Sequence, residues 1–296
     1  MPGPFDLDDA TAYAAWRERK LDLAPRRIED VVVALDDPRA LKSVERAQLI
    51  ALNARCNMAV YVGKTGSDPD KDIPRKLGEQ LGLHTLDGHW LTDNDGISPL
   101  SVIGAEQRGE RKEFIPYTDK PIRWHTDGYY NLPERTIHGL VLHCVESAAS
   151  GGDNQLLDHD IAYILLRDEN PDYIRALSAP DAMTIPPRME EDGVARAEQP
   201  GPVFSVNADG SLHMRYTART VSIAWHPSTA AARQVLERIL ATPTPWTLHG
   251  RLEPGMGLVC NNVLHDRSGF TETAEKRRLL YRARYYERVA TEGASI

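Results

Sequence analysis

The hydrophobic and polar positions along this chain predict many short strands, with helices in front of them and between them. Apolar residues recur at helical spacing over residues 9–21, 43–54, 73–81, 160–177 (interrupted at Pro171) and 228–241. Short apolar runs between turn residues predict strands at 58–62, 137–145, 154–157, 258–260 and 279–286, and a hairpin at 204–214. This order of elements favours a jelly-roll barrel over a parallel α/β sheet.

We predict one α+β domain, mainly β, that spans residues 1–296. Residues 1–57 would form a mainly helical N-terminal part, and residues 158–202 would form a helical insert. Residues 87–121 are rich in Gly, Asp, Thr and Pro and show little periodicity. A long segment of this kind beside a site is more often a functional lid than a plain connector, so we expect a lid here.

Composition and charge exclude several classes of protein. The chain is 41% hydrophobic and 26% charged, which is typical of a globular protein with a sizeable core. Its net charge of −8 argues against nucleic-acid binding and gives no attraction to an anionic membrane. No apolar run approaches the ~18 residues of a membrane span, and the acidic start lacks the features of a signal peptide. Three scattered cysteines predict reduced thiols in a cytoplasmic protein.

The stretch Trp124-His-Thr-Asp-Gly-Tyr-Tyr130 carries the strongest chemical signal. His125 and Asp127 are two positions apart, so in a strand their side chains point the same way. With His265 as a third ligand, they give two imidazoles and one carboxylate with open coordination positions, a set that suits non-haem Fe(II). A structural zinc site would need four ligands. The alternatives are a hydrogen-bonded pair at a strand end and a surface histidine.

The final predicted strand carries a second signal. Arg278, Leu280, Arg282 and Arg284 alternate with Leu279, Tyr281 and Ala283, so the two sets lie on opposite faces. If the arginine face points into the barrel, it predicts an anion there, because a bare guanidinium is costly to bury. Arginine also matches a carboxylate bidentately. The alternative is that the arginines face solvent while the other set is buried.

Together these residues resemble a known family. The carriers are His125-Thr-Asp127, His265 within Asn261–Arg267, Arg277–Arg282 and the Gly151-Gly-Asp153 turn. They resemble the TauD/TfdA group of Fe(II)- and 2-oxoglutarate-dependent oxygenases, whose fold is a double-stranded β-helix. The likeness covers roughly residues 47–286. His265-Asp-Arg267 with Phe270, and Gly128-Tyr129, are also similar to the glutarate-hydroxylase branch.

The resemblance implies a role for each matching residue. His125, Asp127 and His265 would bind iron, and Arg278 would pair with the distal carboxylate of 2-oxoglutarate. Asn154 stands where several relatives have a hydroxyl residue that helps to hold that carboxylate. Arg282 would lie near the other carboxylate of the co-substrate or near an anionic group of the substrate. O2 would then oxidise 2-oxoglutarate to succinate and CO2 while a C–H bond is hydroxylated.

Other residues near the motif are weaker candidates. Tyr129 and Tyr130 would line the substrate pocket, with core packing as an equally good account. Arg215 and Arg219 would face an anionic substrate, with a solvated edge as the alternative, and Asn131 is a candidate of the same grade. His159, between two aspartates, is predicted to cap a helix or to be exposed, and not to bind a metal.

Three functions remain open at this stage. The first is a hydroxylase that acts on a small, anionic metabolite and releases succinate and CO2. The second is a non-haem iron oxidase of the same fold that works without 2-oxoglutarate, and the third is a non-catalytic binding protein on the same barrel. Relatives commonly form dimers or tetramers, so a homo-oligomer is expected. The sequence gives no code for the substrate.

Overall fold

The structure is a computed structural model that describes residues 3–88, 95–102, 115–190, 193–219, 221 and 223–290. Six α-helices lie in this part of the chain: α1 (Ala10–Leu23), α2 (Ser43–Cys56), α3 (Asp72–Gln80), α4 (His159–Glu169), α5 (Pro171–Leu177) and α6 (Ala230–Ala241). Asn170 ends α4 and caps α5, because its side chain accepts a hydrogen bond from the N–H of Asp172. None of the described helices is long and apolar enough to cross a membrane.

The described strands are short, as predicted. They are β1 (Val32–Leu35), β2 (Met58–Gly63), β3 (Ser98–Leu100), β4 (Ile122–His125), β5 (Gly139–Glu146), β6 (Ser150–Gly151), β7 (Asn154–Leu157), β8 (Met183–Ile185), β9 (Arg188–Glu190), β10 (Gly193–Arg196), β11 (Gln199–Gly201), β12 (Phe204–Val206), β13 (Leu212–Met214), β14 (Ala224–Trp225), β15 (Leu248–Gly250), β16 (Met256–Cys260), β17 (Leu264–Arg267), β18 (Phe270–Thr271) and β19 (Leu279–Tyr285).

Two sheets dominate the described chain. The larger has the order β1-β2-β16-β5-β19-β3, and the smaller has the order β15-β7-β17-β4. All the strand pairs in these two sheets are antiparallel except β1 with β2. One buried cluster contains Leu142 and Leu258 from the larger sheet together with Leu156 and Leu248 from the smaller, so the two sheets pack face to face.

Helices cover the outside of this sandwich. A second apolar cluster joins α2 and α3 to the outer face of the larger sheet, where Leu49 and Leu77 pack against Tyr281 and Tyr285. A third cluster holds α4, α5 and α6 against β12 and β13. Both faces of β19 are therefore buried. Arg282 and Arg284 point inward with 7% and 2% exposure, although Tyr281 and Ala283 on the opposite face are also buried.

Two predictions about the chain need comment. The predicted helical insert 158–202 is helical only to Leu177; after it come strands β8 to β11. Prolines at 180, 186 and 187 prevent a helix from continuing there. Of the predicted lid over residues 87–121, residues 89–94 and 103–114 lie outside the described part of the chain.

Candidate metal centre and co-substrate pocket

The pairing of β4 with β17 brings together two predicted ligands that are far apart in the sequence. His125 lies directly opposite His265 in the antiparallel register. Their ring centroids are 4.2 Å apart, and the ring planes meet at 49°. The ligand atoms of His125, Asp127 and His265 all lie within 4.8 Å of one another. The structure thus assembles the predicted triad from residues 140 positions apart in sequence.

Each histidine is oriented by its own strand. Nδ1 of His125 lies 3.0 Å from the carbonyl oxygen of Arg123, and Nδ1 of His265 lies 3.0 Å from that of Val263. Because a carbonyl only accepts, each Nδ1 donates to its carbonyl, and each Nε2 is the nitrogen left to face a metal. Nε2 of His265 lies 3.7 Å from Oδ2 of Asp127. Burial lowers the pKa of His125 to about 3, which keeps this imidazole neutral, as a metal ligand must be.

The carboxylate of Asp127 is charged and half satisfied. Its Oδ1 accepts a 2.9 Å hydrogen bond from Nη1 of Arg282, whereas Oδ2 is buried with no hydrogen-bond partner. Burial alone would raise its pKa, but the charges of Arg282 and Arg284 outweigh burial and lower it. A buried anionic oxygen without a partner is costly unless something binds it. With the Nε2 atoms of two imidazoles beside it, Oδ2 fits a divalent metal such as Fe(II).

A residue that the sequence did not indicate fixes the backbone here. Asn262 accepts a 2.7 Å hydrogen bond from the N–H of Asp127 and donates to the carbonyls of Asp127 (3.0 Å) and Ile137 (2.7 Å). It has a φ of 52°, which asparagine tolerates better than most residues. Gly128 follows Asp127 with a φ of 68°, and a Cβ there would lie 2.4 Å from Ile137. This close fit explains why the motif has a glycine at that position.

A small cavity that includes His265 in its lining lies beside the triad. Most of its lining is apolar and comes from both sheets, with His265, Asn154 and Arg251 as the polar members; the apolar lining residues are Ile28, Val60, Leu142, Leu156, Leu252, Met256 and Leu258. Asn154 uses one amide N–H in a 2.6 Å hydrogen bond to the carbonyl of Asp266, which leaves its second N–H. Such a mixture of apolar walls and few polar groups is typical of a small-molecule pocket.

Arg278 does not line this cavity, but it is close enough to the lining residue Arg251 for their charges to interact. Its side chain is buried against Phe270, with the guanidinium carbon 5.1 Å from the ring centre. Among the described residues no carboxylate oxygen lies within 4 Å of its guanidinium nitrogens, although Glu272 accepts a 2.8 Å hydrogen bond from its backbone N–H, and burial lowers its pKa to about 10. Arg251, in contrast, already pairs with Glu253 at 3.0 Å and donates to the carbonyl of Ala148. Of these two arginines, Arg278 is therefore the one whose guanidinium has no carboxylate partner among the described residues.

The arginines further along β19 make contacts that were not predicted. Arg282 pairs with the candidate metal ligand Asp127, while its Nε is buried without a partner. Its assignment to a carboxylate of the co-substrate or substrate stays a prediction. Arg284 donates to the carboxylate of Asp87 and, at 2.8 Å, to the hydroxyl of Tyr130. No sequence pattern indicates Asp87, which lies 197 positions from its partner Arg284.

Three of the predicted substrate residues, Tyr129, Tyr130 and Arg219, lie beside the candidate metal centre. Tyr129 and Tyr130 pack edge to face, with ring centroids 5.1 Å apart. Arg219 is exposed and donates a 3.3 Å hydrogen bond to the hydroxyl of Tyr129. Its strand neighbour Thr217 pairs with His125, which places this segment alongside the triad.

Two other predicted substrate residues, Arg215 and Asn131, make hydrogen bonds within the protein. Arg215 donates three hydrogen bonds of 2.7 to 2.8 Å to the carbonyls of Tyr129, Met183 and Gln199, so its guanidinium ties three segments together. Asn131 donates 2.9 Å to the carbonyl of Arg135 within the same turn. Arg215 therefore holds the fold together, contrary to the prediction, whereas a substrate role for Asn131 stays a prediction.

A second group of residues also has the composition of a metal site, but a lysine side chain occupies the position of the cation. Asp158, His159 and Asp160 also present ligand atoms within 4.8 Å of one another. The ammonium of Lys20 lies 2.8 Å from Asp158 and 2.6 Å from Asp160, where a cation would sit. His159 is buried, with 1% exposure, and its Nε2 lies 3.1 Å from the carbonyl of Leu212. The prediction that it caps a helix or is exposed was wrong, because α4 packs this end inward.

Known proteins resemble this chain in sequence. The family described as taurine catabolism dioxygenase TauD, TfdA matches residues 22–284. A uridine-5'-phosphate dioxygenase of Amycolatopsis sp is 34% identical over 205 residues, covering 65% of this chain and 70% of the relative. One of the same description from Streptomyces sp is 30% identical over 195 residues, covering 62% and 68%.

Solved structures show the same fold at low identity. An asparagine oxygenase in complex with Fe(II), 2S,3S-3-hydroxyasparagine and succinate has a TM-score of 0.60 and 15% identity, covering 84% of this chain and 81% of that one. The non-heme iron oxygenase OrfP, in complex with Fe, succinate and (3S)-hydroxy-L-Arg, has a TM-score of 0.59 and 16% identity, covering 83% and 81%. The predicted double-stranded β-helix fold is confirmed. The chain belongs to the TauD/TfdA family, and it is an Fe(II)- and 2-oxoglutarate-dependent dioxygenase.

Proposed function

We propose that His125, Asp127 and His265 hold the iron of this dioxygenase, and that it oxidises a C–H bond of a small anionic metabolite of the nucleoside 5'-phosphate class. The observation that carries the proposal is Oδ2 of Asp127, a buried carboxylate oxygen without a partner between two oriented imidazoles. When bound, iron and 2-oxoglutarate supply the oxidising chemistry, with release of succinate and CO2. The protein's own part is to bind, orient and exclude water.

The co-substrate would extend from the metal toward Arg278. Its distal carboxylate would compensate the buried guanidinium that lacks a carboxylate among the described residues. The remaining N–H of Asn154 would donate to the same carboxylate. The apolar walls of the cavity, with Leu142 and Leu258 on one side, would pack against the methylene groups of 2-oxoglutarate. This use of Arg278 separates the proposal from an iron oxidase that needs no 2-oxoglutarate.

The substrate class is supported by the relatives and by the edge of the centre. Two relatives at 34% and 30% identity are named as uridine-5'-phosphate dioxygenases. In this chain Tyr129 offers an aromatic face and Arg219 an exposed cation beside the segment that pairs with His125. A base stacks on an aromatic ring and a phosphate pairs with a guanidinium, so both groups suit a nucleotide. A cytoplasmic location and a homo-oligomer stay predictions, as does a single domain over residues 1–296.

The test is a substrate comparison on the metal-loaded protein. Succinate formation from 2-oxoglutarate should rise severalfold above the uncoupled rate when uridine 5'-phosphate is added, and less with uridine. Free amino acids such as asparagine and arginine serve as the competing class. Stimulation by an amino acid but by no nucleotide would reject the substrate class, while no succinate under any condition would reject the site.

A further inference from the structure

Two buried guanidinium groups lie beside the carboxylate of the candidate metal centre. Arg282 and Arg284 lie on one face of β19, and both approach Oδ1 of Asp127, with Nη1 at 2.9 Å and 3.8 Å. Their side chains are only 8% and 2% exposed, so water screens them little. A single carboxylate thus faces two guanidinium groups. A divalent cation placed beside Oδ2 would be repelled by any charge that Asp127 does not balance.

Asp87 supplies the missing negative charge from the far side of Arg284. Its side chain is completely buried, and Nη2 of Arg284 donates to its Oδ2. Its Oδ1 accepts from Nη2 of Arg135 at 2.6 Å and from the hydroxyl of Tyr286 at 2.8 Å. The main chain adds a further link, because the N–H of Asp87 donates to the carbonyl of Arg284 at 2.8 Å. Arg284 is therefore fixed to Asp87 by side chain and backbone.

The other end of Arg284 is held by a neutral group. Its Nη1 donates a 2.8 Å hydrogen bond to the hydroxyl of Tyr130 and remains 3.8 Å from Asp127. Since that distance is too long for a hydrogen bond, Asp127 keeps Arg282 as its close partner. The four groups pair as Asp127 with Arg282 and Asp87 with Arg284, and their charges sum to zero. Arg135 is 42% exposed at its side chain, so solvent screens much of its charge.

We propose that Asp87 is a positioning residue of the metal centre, which neutralises Arg284 and holds it away from Asp127 so that a divalent cation can bind at Oδ2. The proposal rests on the proposed metal site. It assigns to Asp87 a role exerted through Arg284, without contact with the metal. It predicts that metal affinity depends on the charge of Asp87 only while Arg284 is positive.

The experiment measures Co(II) binding to the full-length chain after the metal has been removed with a chelator. Calorimetry gives the affinity, and the visible absorption of Co(II) reports its coordination. Asp87→Asn keeps the size, replaces one acceptor oxygen by an NH2 group and removes the charge; we expect affinity to fall by about 10–100-fold, as for other groups that orient metal ligands. Arg284→Met should bind Co(II) at least as tightly as the wild type. The double variant Asp87→Asn/Arg284→Met should return to within about threefold of the wild-type affinity.

Asp168→Asn is the matched control, because it removes a carboxylate from another Tyr and Arg network, with Tyr13 and Arg17, that makes no contact with the triad. Its Co(II) affinity should be unchanged. Wild-type affinity in folded Asp87→Asn, or a double variant as weak as the single one, would overturn the role of Asp87. If Asp87→Asn does not fold, a more than tenfold loss in Arg284→Met would overturn it equally. Failure of the wild type itself to bind Co(II) would instead refute the metal site.

Discussion

Two clusters in this molecule have nearly the same composition and opposite outcomes. The triad of His125, Asp127 and His265 and the group of Asp158, His159 and Asp160 each bring ligand atoms within 4.8 Å. Both lie in the interior. In the second cluster the ammonium of Lys20 stands between two carboxylates, and Asn57 donates to both of them at 2.9 and 3.0 Å. In the first, none of the described lysines pairs with Asp127, and its Oδ2 has neither a hydrogen bond nor an ammonium beside it, whereas Oδ2 of Asp158 has Lys20 at 2.8 Å.

The difference shows that residue type and spacing do not by themselves make a metal site. What decides is whether the protein already supplies the cation. Lys20 joins α1 to the start of α4 and thereby compensates two buried charges permanently. Around Asp127 the arginines reach only Oδ1, which leaves one oxygen for an ion from outside. The first arrangement stabilises the fold, and the second leaves a position for chemistry.

The largest effect should come from removing one ligand of the triad. His125→Ala leaves one imidazole and one carboxylate, so Co(II) or Fe(II) affinity should fall by more than the roughly 10–100-fold that changes around a metal ligand cause. His125 takes no part in the Lys20 cluster that joins α1 to α4. The free energy of unfolding of the metal-free protein should therefore change little. Calorimetric titration with Co(II) measures the first quantity and denaturant unfolding the second. The exposed His226→Ala is the control, and equal metal content in both variants would contradict the assignment.

The Lys20 cluster should respond in the opposite way. Lys20→Met leaves two buried carboxylates without a cation, and losing one partner of such a pair typically costs about 3–5 kcal/mol of unfolding free energy. Co(II) affinity at the triad should stay at its wild-type value. Lys42→Met, which removes an exposed lysine beside Asp36, should have little effect on stability. If Lys20→Met is as stable as the wild type, then Lys20 does not compensate these carboxylates.

The sequence was sufficient for the triad because its residues follow simple periodicity and a family motif. It was insufficient wherever a role depends on partners brought together by folding. Asn262 holds Asp127 from 135 positions away, and Arg215 lost its predicted role because its donors end on carbonyls of distant segments. Neither alternative for the last strand was complete, since flanking helices bury the Tyr281 face while the arginines point inward.

A smaller effect, on the KM for 2-oxoglutarate, should follow from removing the charge of Arg278. Arg278→Met keeps an apolar side chain against Phe270 but removes the charge expected to bind the distal carboxylate. A charge-assisted contact is worth about 1.5–3 kcal/mol, so the KM for 2-oxoglutarate should rise by roughly 10–150-fold. Succinate formation at varied 2-oxoglutarate measures this. The charge of Arg251 is already balanced by Glu253, so Arg251→Met should raise KM much less. A larger rise in Arg251→Met than in Arg278→Met would mean that Arg251, and not Arg278, binds the distal carboxylate.

The smallest predicted effect tests the comparison directly. If Lys20 occupies a cation position, Lys20→Met should acquire a weak site for Ca²⁺ or Mn²⁺ between Asp158 and Asp160, whose oxygens are suitable ligands. At an ion concentration equal to Kd, the free energy of unfolding rises by only about 0.4 kcal/mol. Far above Kd it rises by about 1.4 kcal/mol for each tenfold increase in ion concentration. The thermal midpoint of Lys20→Met/His125→Ala should therefore rise with millimolar Ca²⁺, while that of His125→Ala alone stays constant. Because His125→Ala disables the first site in both proteins, any difference belongs to the second cluster. Identical midpoints would mean that the ammonium supports the fold by its hydrogen bonds and not by standing where an ion could.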